Sequence, residues 1–261
     1  MQAFERSRWK QGIPAMGEER IQLVTRADDA GSCNSANVAI WNCYRKGIVL
    51  NASVMVPAPA FEEAAALLGS EQGLCVGLHV TLTSEWKSVR WGPVLSTDEV
   101  PSLVDQDGCF PRSRRALEDN GARLEEMLAE IAAQLEAARS HGLNIAYVDT
   151  HMSVRFSCGL EEPLKELARR EGLVYGYEVP WLPPVEGRFA NRVEEFVAQL
   201  EAAEPGTYIA VGHPTYDRLD VEMFSPGQGP KRDWDRRMFT DPPVLDYCAA
   251  HGVVPIRYTE S

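Results

Sequence analysis

Leu74-Cys75-Val76-Gly77-Leu78-His79-Val80-Thr81-Leu82-Thr83 alternates in the manner of a β-strand. Residues two apart on a strand share a face, so Val76, Leu78, Val80 and Leu82 form an apolar side. Gly77, His79, Thr81 and Thr83 form the other. The apolar side is expected to pack on helices, and His79 then points into a polar mouth with Gly77 leaving room beside it. Upstream, Ile21–Thr25 and Ile48–Val56 read as strands, with helices over Asn34–Lys46 and Phe61–Leu68. Downstream, Ala122–Ser140 is strongly helical. Strands are then predicted at Asn144–Thr150, Val174–Glu178, Thr207–Val211 and Val253–Tyr258, with helices over Glu161–Arg170, Asn191–Ala203 and Pro243–Ala250. Such alternation builds parallel βαβ units, hence an α/β barrel or a doubly wound sheet.

The chain has 261 residues, within the usual range of one barrel domain of about 250. A single domain is expected over 21–261, preceded by an N-terminal extension at 1–20. Ser84–Asn120 carries Gly, Pro and Trp without a clear period and is a candidate lid or substrate-binding insertion. A net charge of −12 argues against nucleic acid and anionic lipid as partners. No apolar run reaches the roughly 18 residues that span a bilayer, and the first twenty residues lack the apolar core of a signal peptide. Six cysteines lie far apart without a CxxC pair, which suits reduced thiols and a cytoplasmic protein. A homodimer is the base-rate expectation for assembly.

In parallel α/β folds chemistry gathers at the carboxyl ends of strands. The first strand runs into Arg26-Ala27-Asp28-Asp29-Ala30-Gly31, and two adjacent aspartates repel unless a cation lies nearby. A helix cap accounts for one of them; a metal ligand beside a catalytic base accounts for both. Extended geometry would point Asp28 and Asp29 to opposite sides. The fourth strand ends Tyr147-Val148-Asp149-Thr150-His151, placing Asp149 where it can orient a ligand or be one. His213-Pro214 stands where a later strand stops, and His213 suits a general acid. Competing readings are a hydrogen-bonded core histidine for His79 and unemployed loop histidines for His151 and His213. His141 and His251 each precede a glycine after a helix, a position that serves the helix terminus. One Asp and two His from separate strands make a three-ligand site with open positions, although barrel isomerases and phosphoesterases use the same residue types.

Ala27-Asp28-Asp29-Ala30-Gly31, Gly77-Leu78-His79-Val80-Thr81-Leu82-Thr83, Asp149-Thr150-His151 and His213-Pro214, in this order, resemble the motifs of the YdjC-like carbohydrate deacetylase family over about Ile21–Tyr258. The resemblance implies a distorted (β/α) barrel of mostly parallel strands and one divalent metal ion, zinc or magnesium, held by Asp29, His79 and His151. It implies Asp28 as general base, His213 as the acid that protonates the leaving amine, and removal of an N-acetyl group from a small carbohydrate by attack of metal-bound water. Another barrel hydrolase or isomerase, or a non-catalytic carbohydrate-binding protein, are the rival functions. The chain departs from the family pattern at Arg26, at Ala30 where an aromatic is usual, and at Met152-Ser153-Val154-Arg155 where further histidines are usual.

Arg26 and Arg155 lie near the expected site and are candidates for binding an anionic group on the substrate. Thr81 shares the face of His79. Lys231, Arg232, Arg236 and Arg237 form a basic cluster after His213, in a region where family members often carry an arginine that braces the site. Trp86, Trp91, Trp181 and Trp234 fall in expected loops, and Trp86 and Trp91 are the first candidates for stacking on a sugar because they closely follow His79.

Overall fold

Ile21–Ala30 (β1) is buried from Leu23 to its end and lies at the heart of the sheet. In this computed structural model residues 20–261 are described, so nearly all of the extension expected at 1–20 lies outside the described residues. The other described strands are β2 (Asn51–Val54), β3 (Cys75–Val80), β4 (Ile145–Thr150), β5 (Val174–Tyr175), β6 (Gly206–Gly212) and β7 (Val254–Ile256). Their order is β5-β4-β3-β2-β1-β6, with β7 also on β1, and all these pairings are parallel. The sheet curls into a half-barrel. Its ends are drawn together after β5, where Ile209 of β6 donates its N–H to Pro180 O at 2.8 Å and accepts from Leu182 N at 3.3 Å. The expected distorted parallel barrel is thus the architecture.

Helices α1 (Asn34–Lys46), α2 (Phe61–Gly69), α3 (Arg114–Asp119), α4 (Leu124–Ser140), α5 (Glu161–Glu171), α6 (Arg192–Ala202), α7 (Leu219–Phe224), α8 (Gly229–Thr240) and α9 (Pro242–Ala250) complete the domain. None of the described helices is long and apolar enough to cross a membrane. Val76, Leu78, Val80 and Leu82 join the large cluster formed with helix side chains, as the alternation required. A smaller cluster of Val24, Cys75, Tyr147, Ile209, Ile256 and Tyr258 fills the inside of the curl. Along β1, Val24 therefore faces inward and Leu23 and Ala27 face the helices, which puts Arg26 and Asp28 on the inner face by period two. No helix is predicted from the sequence within Pro214–Asp241, yet α7 and α8 lie there. The segment Ser225–Arg237 has no apolar period, and in α8 the buried hydrophobic side chains, Met238 and Phe239, cluster at the carboxyl end.

Ser84–Asn120 is not a loose lid. Trp86, Trp91, Val100, Leu103, Phe110 and Leu117 are all buried in the main cluster. The excursion is tied to α4, where the buried Glu130 carboxylate accepts the N–H groups of Val94 and Leu95 at 2.9 and 3.0 Å. Gln134 of the same helix accepts from Thr81 N and donates to Thr81 O.

Gly77 faces Tyr147 across the β3–β4 register, and a Cβ there would overlap the tyrosine ring. Gly77→Ala is expected to cost about 1–3 kcal/mol of stability through overpacking, measurable by denaturant unfolding; an unchanged midpoint would refute this packing account.

Candidate active site

A left-handed kink near the end of β1 brings both aspartates into one site. Asp29 has φ 67° and Gly31 φ 95°, and β1 slips its register against β2 between Ala27 and Ala30. Left-handed backbone is uncommon for a non-glycine residue and collects at functional sites. Gly31 has a second reason to be glycine, since a Cβ would lie 2.9 Å from Met55 O. The expectation that Asp28 and Asp29 point apart is therefore corrected: extended geometry ends at Asp28, and the kink swings Asp29 back toward His79 and His151.

His79 and Asp149 are register partners on β3 and β4. The His79 Nδ1–Asp149 Oδ1 distance is 2.9 Å, and His79 Nε2 lies 3.5 Å from Asp29 Oδ1. His151 follows β4 directly; its Nδ1 is 3.2 Å from Asp29 Oδ1 and its Nε2 is 3.0 Å from both oxygens of Glu85. A carboxylate only accepts hydrogen bonds. Asp149 and Glu85 therefore each draw a ring N–H outward and leave the other nitrogen of each imidazole aimed at Asp29. Metal-binding histidines are commonly oriented in this way.

Asp29, His79 and His151 are all buried, with ligand atoms close enough together to hold a metal ion. Asp28, His79 and Asp149 form a second such group, but a single guanidinium lies against both of its carboxylates, whereas Asp29 meets Arg232 through Oδ2 alone. Arg26 donates from Nε and Nη2 to the two oxygens of Asp28, at 2.7 and 3.0 Å, and its Nη1 lies 3.0 Å from Asp149 Oδ2. A metal placed there would meet a buried guanidinium. The donor set that fits is Asp29, His79 and His151.

The role expected for Arg26 is corrected by the same contacts. It is buried, also donates to Tyr258 Oη at 3.0 Å, and is fully engaged with the protein instead of awaiting a substrate anion. Burial opposes its charge, but Asp149 and Asp28 outweigh that and hold its pKa well above the ordinary value. From the basic cluster, Arg232 pairs with Asp29 Oδ2 at 2.7 Å, leaving Oδ1 to the imidazoles. Burial would raise the Asp29 carboxyl; Arg232 and the two histidines instead hold it well below the usual carboxylate range. For Asp149, Arg26 and then His79 likewise overcome burial.

His213 stands one residue past Gly212, whose register partner on β1 is Ala27, so it reaches the level of Asp28. Its side chain is about half exposed. Asp235 of α8 accepts from the His213 N–H at 2.9 Å and places Oδ2 3.6 Å from Nδ1. The Asp235 carboxyl is raised by burial but brought below its ordinary pKa by the His213 contacts. Glu85 and Asp235 were missed in the sequence because neither lies in a strand-end motif.

Three other expectations change. Trp86 and Trp91 are buried edge to face, with ring centroids 5.2 Å apart, and Trp91 Nε1 donates to Thr83 O, so they pack the excursion and do not offer open faces to a sugar. Thr81 is fully buried and donates its hydroxyl to His79 O at 2.7 Å. Arg155 pairs with Glu161, and its guanidinium carbon lies 3.8 Å from the centre of the Phe156 ring and 4.0 Å from that of Tyr177. Among the tryptophans of the described residues, Trp181 is the exposed one, at 62%.

The sequence profile of the YdjC-like protein family matches residues 22–250. A carbohydrate deacetylase of Geobacillus stearothermophilus is 31% identical over 249 residues, covering 91% of this chain and 96% of its own. A carbohydrate deacetylase of Thermoanaerobacter pseudethanolicus is 25% identical over 257 residues, covering 91% and 98%. Among solved structures, a candidate cellobiose-phosphate cleavage protein of Enterococcus faecalis superposes with a TM-score of 0.78 at 21% identity, over 92% of this chain and 98% of that one. An active mutant of a CE4 family pseudoenzyme reaches 0.52 at 11% identity, over 94% and 67%. At these identities the solved structures establish a shared fold.

Without a bound cation the imidazoles hold protons tightly. Burial acts against charge on His79, but Asp149 and Asp28 raise its pKa to about 10; for His151 the bonds to Asp29 and Glu85 raise it to about 9. An unfolded histidine titrates near pH 6.5, so between that value and 9–10 the folded state binds more protons. The stability these pairs contribute is fully present below about pH 6.5 and is lost as pH rises through 9–10. Chelator-treated protein should melt progressively lower from pH 7 to 10, with a smaller decline in His79→Gln. Parallel melting curves for the two proteins would contradict the assignment.

Proposed function

From the premise that the chain belongs to the YdjC-like family, we propose that it is a metal-dependent deacetylase that hydrolyses the N-acetyl amide of an amino sugar or short oligosaccharide. The observation that carries this reading is the buried group of Asp29, His79 and His151, with one ring nitrogen of each imidazole turned toward Asp29, beside an Asp28 braced by Arg26. Its curated relatives from Geobacillus and Thermoanaerobacter, named carbohydrate deacetylases, support the substrate class. A divalent cation, zinc or magnesium, held by Asp29, His79 and His151 would supply Lewis-acid chemistry, polarising the acyl carbonyl and easing ionisation of water.

The protein's own groups handle the protons. The Asp28 carboxylate accepts a proton from the attacking water, held in position for this by the two bonds from Arg26. The water oxygen adds to the acetyl carbon. As the C–N bond breaks, the amine nitrogen takes a proton from His213 Nε2, while the Asp235 carboxylate lies on the Nδ1 side of the ring. Acetate and the free amino sugar leave. The exposure of His213 at the mouth suits a group that must meet a leaving amine and then recover its proton from solvent.

The site is tested first by elemental analysis. Purified wild type is expected to carry divalent metal near one equivalent, and His79→Ala and His151→Ala to lose it. Asp28→Ala and His213→Ala should retain metal while acetate release from N-acetylated sugars falls about 10²–10⁴-fold. Wild type that stays empty after incubation with zinc, manganese or magnesium would overturn the metal reading. Metal-loaded wild type that releases no acetate from a panel of N-acetyl sugars would overturn the substrate reading.

A further inference from the structure

We propose that Glu85 is a positioning residue for the metal ligand His151, and that the Ser84–Asn120 excursion acts as a buttress that holds Glu85 in place. This rests on the metal site described above and assigns a part to a residue outside the motifs. Both Glu85 oxygens lie 3.0 Å from His151 Nε2, on the side of the ring opposite Asp29. An imidazole turned the other way, or carrying its proton on Nδ1, would direct an N–H at Asp29 and could not ligate there. Glu85 is thus to His151 what Asp149 is to His79. The two differ in their setting: Asp149 is built into a strand, whereas Glu85 stands beyond the end of one.

The surrounding backbone is held on both sides of Glu85. The residue before Glu85 is secured from three directions. Ser84 N donates to Pro111 O at 2.9 Å, Ser84 O accepts from Arg90 Nε at 3.1 Å, and Ser84 Oγ accepts from Trp91 N at 3.0 Å. The residue after it is secured too, since Arg112 Nη1 donates to Trp86 O at 2.8 Å. Pro111, Arg90, Trp91 and Arg112 all belong to the excursion, whose body is fixed to α4 through Glu130. A segment that looks like an insertion in the sequence therefore fixes the chain on both sides of Glu85, whose carboxylate reaches His151.

The test is metal affinity, measured by titrating cobalt(II) or zinc into chelator-treated wild type, Glu85→Ala, Glu85→Gln and Arg112→Ala. Removing an outer-shell partner of a metal-binding histidine typically weakens affinity about 10–100-fold, and that loss is expected for Glu85→Ala. Glu85→Gln keeps an acceptor oxygen and should fall between it and wild type. Arg112→Ala should weaken binding by acting through Glu85, so combining it with Glu85→Ala should add little further loss. The cobalt absorption bands should keep their shape in Glu85→Gln, as expected when the ligand set is unchanged. Folding of each metal-free variant is checked by circular dichroism; should Glu85→Ala fail to fold, the isosteric Gln variant carries the test. Wild-type affinity in both Glu85 variants overturns the proposal while leaving the metal site intact. Altered cobalt bands in Glu85→Gln would make Glu85 a ligand and also overturn it. Wild type that binds neither cation removes the metal reading and this inference together.

Discussion

Burying like charges side by side inside the curl is the constraint to which the rest of the site answers. Three buried carboxylates, Asp28, Asp29 and Asp149, meet two guanidiniums, Arg26 and Arg232. An uncompensated buried charge is costly, so the excess negative charge requires protons on His79 and His151 or a cation between them. Protons and metal compete for the same nitrogen lone pairs, and binding a cation must release protons. Arg26 divides the work: it occupies Asp28 and Asp149, while Asp29, paired with Arg232 through Oδ2, turns Oδ1 toward the two imidazoles.

Backbone strain is placed where this arrangement needs it. Asp29 has φ 67°, and His151 is followed by Met152 and Ser153 at 49° and 55°, a pair of left-handed non-glycine residues. Each departure of this kind costs on the order of 1–3 kcal/mol and persists only where the surroundings enforce it. At Asp29 the kink converts a position that would have faced the helices into one that faces the imidazoles. At Met152 and Ser153 it bends the chain away at once, while His151 keeps its ring buried at the strand end. Gly31 and the register slip between β1 and β2 belong to the same device.

The helical and irregular parts of the chain serve the site through single reaching side chains. Arg232 and Asp235 come from α8, three residues apart, one to Asp29 and the other to His213. They thereby join the proposed metal group and the proposed acid through one element. The excursion after β3 supplies Glu85 on the other side. The half-barrel therefore provides the register, and flanking segments provide the orientation of individual groups.

Short-range periodicity determined much of this in the sequence itself. Period-two alternation around His79 assigned its face, and strand-end positions separated His79, His151 and His213 from the helix-end His141 and His251, because side-chain direction along a strand is a local property. The role of Arg26 was not local in that sense: it depends on Asp149 and Tyr258 reaching the same point from other strands or the chain end. Burial of Trp86 and Trp91 likewise depended on how a segment without period folds over α4. Only tertiary structure decided that Glu85 meets His151, 66 residues away, and that Arg232 meets Asp29 across 203 residues. Local sequence records which way a side chain leaves its own backbone; which distant group it then meets is decided by the packing of the whole chain.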